Sequence, residues 1–192
     1  SAGVLGQCSN YGASRYITLP QTTNLDFSDA SSDLPFSLSF WYSKIDNTSR
    51  CLFSKRGGTA GTDQWQVNII GGLVEVILYS NSTSAYISKR FSGIMVSNGV
   101  FYHYGITYDG SGTSAGIKMY FNGTLPATTT TNVGTYTKMP QASQLTYIGR
   151  LWNGTMALAG RIDEFAVWKN RVLTATNISK IYNSGLGLSY PF

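Results

Sequence analysis

A chain of 192 residues is long enough to bury a full core without help, and we read residues 1–192 as one domain. Charged residues make up only 12% while Gly, Ser, Thr, Asn and Tyr abound, the composition of short strands joined by turns rather than of helices. The net charge of +5 comes from Lys and Arg scattered singly, and the tightest pair, Lys55-Arg56, runs straight into the turn Gly57-Gly58, so the basic stripe that nucleic acid requires is missing. No apolar run approaches the roughly 20 residues of a membrane helix, so membrane insertion is not expected. Cys8 and Cys51 are the only cysteines, and the sequence accommodates either one disulfide or two buried thiols.

In chain order, Tyr16-Ile17-Thr18-Leu19-Pro20 reads as an opening strand stopped by proline. Phe36 to Tyr42 alternates strictly, with Phe36, Leu38, Phe40 and Tyr42 on one face. Cys51 to Ser54 forms the next strand. Trp65 to Ile69 alternates again, and Gly71-Gly72 turns it back into Leu73 to Tyr79, a hairpin with glycines where positive φ is needed. Ala85 to Phe91 is a weaker strand. Phe101 to Tyr108 is strong and closes on Asp109-Gly110, and Gly116 to Phe121 pairs back, closing on Asn122-Gly123. Thr128 to Thr131 is a β-branched run for an edge strand or a long loop, and Leu145 to Arg150 leads towards the last strand. By period two, Phe36, Leu38, Phe40, Tyr104, Ile106, Tyr108, Ile117, Met119 and Phe121 point inward. No unit repeats at a fixed period, which excludes propellers and solenoids.

The chain ends on its most telling stretch. Gly160 to Trp168 is a strand that passes through Asn170-Arg171-Val172-Leu173 into one short helix, with Thr174 as N-cap, Ile178 and Ile181 on one face and Gly185 as the C′ stop. This closure resembles that of the laminin-G-like, concanavalin A-like jelly-roll domains. Pro35 to Trp41, Leu52 to Gly57, Phe101 to Gly110 (with Phe101 where a Trp is usual), Met119 to Gly123 and Ile148 to Arg150 follow the family's order from Tyr16 to Gly185. The resemblance implies an all-β, two-sheet antiparallel jelly-roll sandwich with one short C-terminal helix, in a family that mostly binds glycans or other surfaces and includes some glycosidases.

Catalytic patterns are missing from this sequence. Glycosidases of this fold carry Glu-x-Asp-x-x-Glu, which projects nucleophile and acid from one face, whereas no two acidic residues here sit at i and i+2 on a predicted strand, and Asp163 and Glu164 are adjacent. His103 is the only histidine, and no serine lies in a nucleophile elbow. We therefore read the chain as a non-enzyme, with His103 as an exposed or hydrogen-bonded strand residue.

The resemblance also implies one structural Ca²⁺ joining the chain's start to its closing strand. Asp163 is the matching carboxylate, on what would be the inward face beside Phe165 and Val167, with Asn10 completing the cage; the alternative is Asp163 accepting backbone N–H groups. Sugar recognition needs exposed aromatic faces beside amides or guanidinium groups. The best match is the loop Arg150-Leu151-Trp152-Asn153-Gly154, and a second is Trp65 and Gln66 with Tyr79. The five Asn-x-Ser/Thr patterns, at Asn47, Asn81, Asn122, Asn153 and Asn177, are expected to carry no functional glycan.

The expected function is a non-catalytic carbohydrate- or receptor-binding module on a cell surface, virion or phage appendage, outside the cell, its partners a glycan or surface receptor and other subunits of a multivalent particle. The alternative is a structural domain that binds other proteins of the same assembly, and a third, less favoured reading is a glycoside hydrolase.

Overall fold

The computed structural model describes residues 2–12, 15–81 and 85–188, so Ser82 and Thr83 of the second Asn-x-Ser/Thr pattern lie outside the described residues. Among these residues the chain forms strands β1 (Ala2–Gly3), β2 (Gly6–Gln7), β3 (Ser9–Tyr11), β4 (Ile17–Leu19), β5 (Phe36–Lys44), β6 (Arg50–Lys55), β7 (Trp65–Ile70), β8 (Leu73–Tyr79), β9 (Tyr86–Phe91), β10 (Tyr102–Tyr108), β11 (Ile117–Phe121), β12 (Thr128–Val133), β13 (Thr146–Ile148) and β14 (Gly160–Lys169), followed by helix α1 (Ala175–Tyr182). A five-stranded sheet runs β11-β10-β5-β14-β3 and a seven-stranded sheet runs β12-β9-β8-β7-β6-β13-β4, every pairing antiparallel, with β1-β2 as a small separate hairpin. This is the expected jelly-roll sandwich.

The core lies between the two sheets, where the alternating residues of both converge. Phe36, Leu38 and Phe40 of β5 meet Phe53 of β6 and Trp65, Val67 and Ile69 of β7, all buried. Phe27 stacks on Phe36 at 4.1 Å and leans on the Trp65 ring, whose Nε1 donates to the Leu25 carbonyl. Burial of this aromatic and aliphatic surface is the main force holding the sheets together. Gly71 and Gly72, at φ of 58° and 83°, make the tight β7–β8 turn that L side chains resist.

A third layer closes the outer face of the five-stranded sheet. The Thr174 side chain accepts the Asn177 N–H while Asn177 answers the Thr174 N–H, a reciprocal cap that starts α1. Ile178 and Ile181 then bury against Leu173 and Tyr120, with Ile178 seated directly over Gly105 of β10. The helix ends on Asn183 in the left-handed conformation, two residues before the expected stop at Gly185. All nine residues of β5 are buried as a result, the inner face by the core and the outer one by the α1 layer.

One strand breaks the period. The β5–β14 register shifts between Asp163 and Ala166, and Glu164 takes φ of 48°, a bulge that resets which residues face inward. Beyond it Phe165 stacks on Phe53 of the core at 4.1 Å, while Asp163 stays opposite Trp41 on the outer face.

Candidate binding site

Among the described residues no α-helix covers the outer face of the seven-stranded sheet. Antiparallel order brings the end of β6, the start of β7, the end of β8 and the start of β9 to one end of this sheet. Arg56 follows β6, Asp63 precedes β7, Tyr79 ends β8 and Tyr86 begins β9, so four residues distant in sequence share one corner.

Arg56 organises that corner. Its guanidinium donates to Asp63 Oδ2 at 2.6 Å, to Gln66 Oε1 at 2.7 Å and to the Tyr79 hydroxyl at 3.0 Å, and lies 4.2 Å over the Tyr79 ring. Asp63 also accepts the Gly58 N–H at 2.7 Å, which folds the β6–β7 connection back onto the pair. Gln66 in turn donates to Asn68. Burial pushes the Tyr79 phenol above the ordinary tyrosine range against the pull of Arg56, so its hydroxyl stays protonated. Arg56, Gly58, Thr59, Asp63, Tyr79 and Tyr86 line an open cleft of about 240 Å³.

Trp152 stands at the rim of this cleft. Its loop is closed by the Leu151 N–H to the Thr155 carbonyl and the Gly154 N–H to the Leu151 carbonyl, and Asn153 Oδ1 accepts both the N–H and the hydroxyl of Thr155. Leu151 is buried as the anchor while Trp152 is 39% exposed. The indole lies on Gly58, so close that a Cβ there would fall 2.0 Å from Trp152 Cζ2. Glycine is what lets the ring approach so closely beside the cleft. Arg150 is held apart from it, its guanidinium 3.6 Å over the Tyr16 ring and 4.7 Å over Tyr147.

Of the residues singled out in the sequence, Trp152, Asn153 and Tyr79 therefore reach the surface around one end of the sheet, and Arg150 lies beside them in an aromatic clamp. Trp65 and Gln66 lie elsewhere than the sequence suggests. Trp65 is a core side chain with no exposed ring, because it is in phase with Val67 and Ile69. Gln66 does face outward, but it is buried beneath Arg56 and serves to hold the guanidinium.

A model for laminin-G-like domains, described as the concanavalin A-like lectin/glucanases superfamily, matches residues 11–179. The chain belongs to this superfamily. Among solved structures, the binding domain of Paraclostridial Mosquitocidal Protein 1 superposes with a TM-score of 0.68 at 14% identity, over 96% of this chain and 45% of that one. A structure of botulinum neurotoxin type C, which depends on interaction with two ganglioside molecules to enter cells, gives 0.62 at 18% identity over 90% and 40%. The heptameric SAP-like pentraxin of Limulus polyphemus gives 0.56 at 19% identity over 87% and 81%. At these identities the likeness is one of fold, and the chain spans less than half the length of the two toxin chains. No curated protein sequence matches it.

The Ca²⁺ site implied by the superfamily resemblance does not fit the residues around Asp163. The bulge leaves Asp163 on the outer face, not the inward one, beneath the β1–β2 hairpin. There Oδ2 accepts the Val4 N–H at 2.6 Å and the Leu5 N–H at 3.4 Å, and Oδ1 accepts the Glu164 N–H at 3.1 Å. Those N–H groups take three of the carboxylate's roughly four acceptor sites, leaving little of it for a cation, which would need several further oxygens. Asn10 is exposed opposite Arg161, and among the described residues no three His, Cys, Asp or Glu side chains gather as a metal cluster.

His103 and Ser39 form a pair with the look of a catalytic dyad, Nε2 to Oγ at 2.8 Å. The pair is buried under α1 between Trp41 and Tyr182, and His103 Nδ1 has no partner among the described residues, so no carboxylate orients the ring. Burial lowers the His103 pKa to about 4, keeping it neutral. Cys8 and Cys51 are both buried thiols, not a disulfide.

Proposed function

We propose that this domain is a non-catalytic glycan-binding module of the extracellular space, and that its sugar site is the Arg56–Asp63–Tyr79–Tyr86 cleft with the Trp152 indole as stacking platform. The observation that carries this reading is the exposed indole laid on Gly58 beside a fixed guanidinium–carboxylate pair. A sugar presents C–H faces to an aromatic ring and hydroxyls to charged and amide groups, and that corner offers both. The ganglioside dependence of the type C neurotoxin is a property of a protein with the same fold and supports a glycan or receptor as partner.

A glycosidase would need two carboxylates free to act on opposite sides of the sugar bond. On this face Asp63 is ion-paired to Arg56 and bonded to the Gly58 N–H, and Glu75 accepts the Ser88 hydroxyl. A binding role is the better match. Among the described residues no helix is long and apolar enough to cross a membrane.

Stacking with one or two hydrogen bonds gives affinities on the order of micromolar to millimolar, so useful binding calls for several copies on one particle. The test is a multivalent display of the chain on a glycan array, followed by incubation of each ligand found with the free chain. Retention of defined glycans without cleavage products supports the reading. Cleavage products, or an array without ligands, would overturn it.

A further inference from the structure

The threonine run of β12 has no part in the cleft, yet it forms the longest exposed edge of the seven-stranded sheet. Among the described residues β12 pairs with β9 on one side only, and Thr129 to Val133 are all exposed. The Ser92 N–H donates to the Ala127 carbonyl, and the register places Thr128 opposite Phe91. In an antiparallel ladder the bonded pairs then fall at Thr129, Thr131 and Val133. The intervening Thr128, Thr130 and Asn132 turn their N–H and C=O groups away from β9, onto the free edge.

An edge of this kind is usually guarded by a charge, a proline or a bulge. β12 has none of these, and residues 121–137 contain no charged side chain in a chain of net charge +5. The other outer strands differ. β3 and β4 have three residues each, and β11 carries Lys118.

We propose that β12 is the contact through which a second copy of this chain adds to the sheet, edge to edge and antiparallel across a two-fold axis. The register that uses all three outward residues sets Thr130 against Thr130 and Thr128 against Asn132. That arrangement is self-complementary, as a two-fold interface requires. It brings no charged residues of β12 together, and it stacks β-branched side chains cross-strand. The two copies would share one continuous sheet. The inference rests on the strand edge and not on the sugar reading.

The contact is small, so the expected dimer is weak, with a dissociation constant of about 10–500 μM. Sedimentation equilibrium of the wild type up to about 1 mM, twice the expected upper limit, should show mass rising towards twice that of the chain. Thr130→Pro removes one outward N–H without touching the β9 ladder, since proline is tolerated at such edge positions, and Thr130→Lys places like charges across the axis. Both variants should keep the wild-type melting temperature within a few degrees and dissociate at least tenfold more readily. Thr130→Cys should form a disulfide-linked dimer on mild oxidation, because directly opposed residues lie about 5.5 Å apart at Cα. A wild type that stays monomeric throughout, or a dimer that persists in folded Thr130→Pro, would overturn the proposal and leave the edge to a strand of another protein.

Discussion

Both sheets of this sandwich are built by the same alternation, yet their outer faces have opposite fates. On the five-stranded sheet, Ser37, Ser39 and His103 lie under the α1 layer: the Ser37 hydroxyl bonds the Arg171 carbonyl and the Leu173 N–H, and Ser39 bonds His103. On the seven-stranded sheet, Arg56, Asp63 and Tyr79 make an equally dense network, but among the described residues no helix lies over it, and Trp152 is left at its rim. Polar residues on a strand's outer side therefore do not by themselves mark a binding face. What distinguishes the two is the cover, and the cover is set by the short helix at the end of the chain.

Loosening the helix should have the largest effect. Ile178 is fully buried and seated over Gly105, so Ile178→Ala should cost about 3 kcal/mol in chemical denaturation. It should leave binding at the cleft unchanged in whatever fraction remains folded.

Acid should also weaken the covered face through His103. His103 has a folded pKa of about 4 against an ordinary 6.5, so the unfolded state takes up a proton first as pH falls. The stability from neutral His103 is complete above about pH 6.5 and drains away towards pH 4, by up to about 3 kcal/mol at 1.36 kcal/mol per pH unit. Melting curves of the wild type and His103→Gln across this window should differ in slope, with the variant the flatter. Parallel curves would mean that the ring reaches water.

Asp163 ties the N-terminal hairpin to β14. Asp163→Ala strands the Val4 and Glu164 N–H groups and should lower stability by about 1–3 kcal/mol. With N–H donors as its partners, neither the wild type nor the variant should change melting temperature on addition of chelator. A fall in the wild type alone would show that a bound cation holds this corner.

Much of the fold was legible because period-two patterns are local. β5, β7, β8 and β10 could be read within a residue or two, and Thr174 and Ile178 marked the helix. Trp65 was legible too: its phase with Val67 and Ile69 puts it in the core, and only its size and polar neighbours suggested a surface role. Asp163 was not legible, because a bulge at Glu164 inverts the phase beyond it and nothing in the residue types announces one. Arg56 was taken for turn chemistry. Its role depends on Asp63, Gln66 and Tyr79 meeting across three strands, and strand order is not written in any one segment. Gly57-Gly58 between Arg56 and Asp63 was the usable signal, since a tight connection returns the carboxylate to the guanidinium.

Sugar binding at the open corner of the seven-stranded sheet through Trp152 is tested by calorimetric titration of a glycan retained on the array into the wild type and into Trp152→Ala. Because the indole is 39% exposed but rests on Gly58, the substitution should cost only about 1–2 kcal/mol of stability and weaken binding at least tenfold. Wild-type affinity in a folded Trp152→Ala would contradict the claim, and so would a loss of stability large enough to show that the indole is an anchor of the loop.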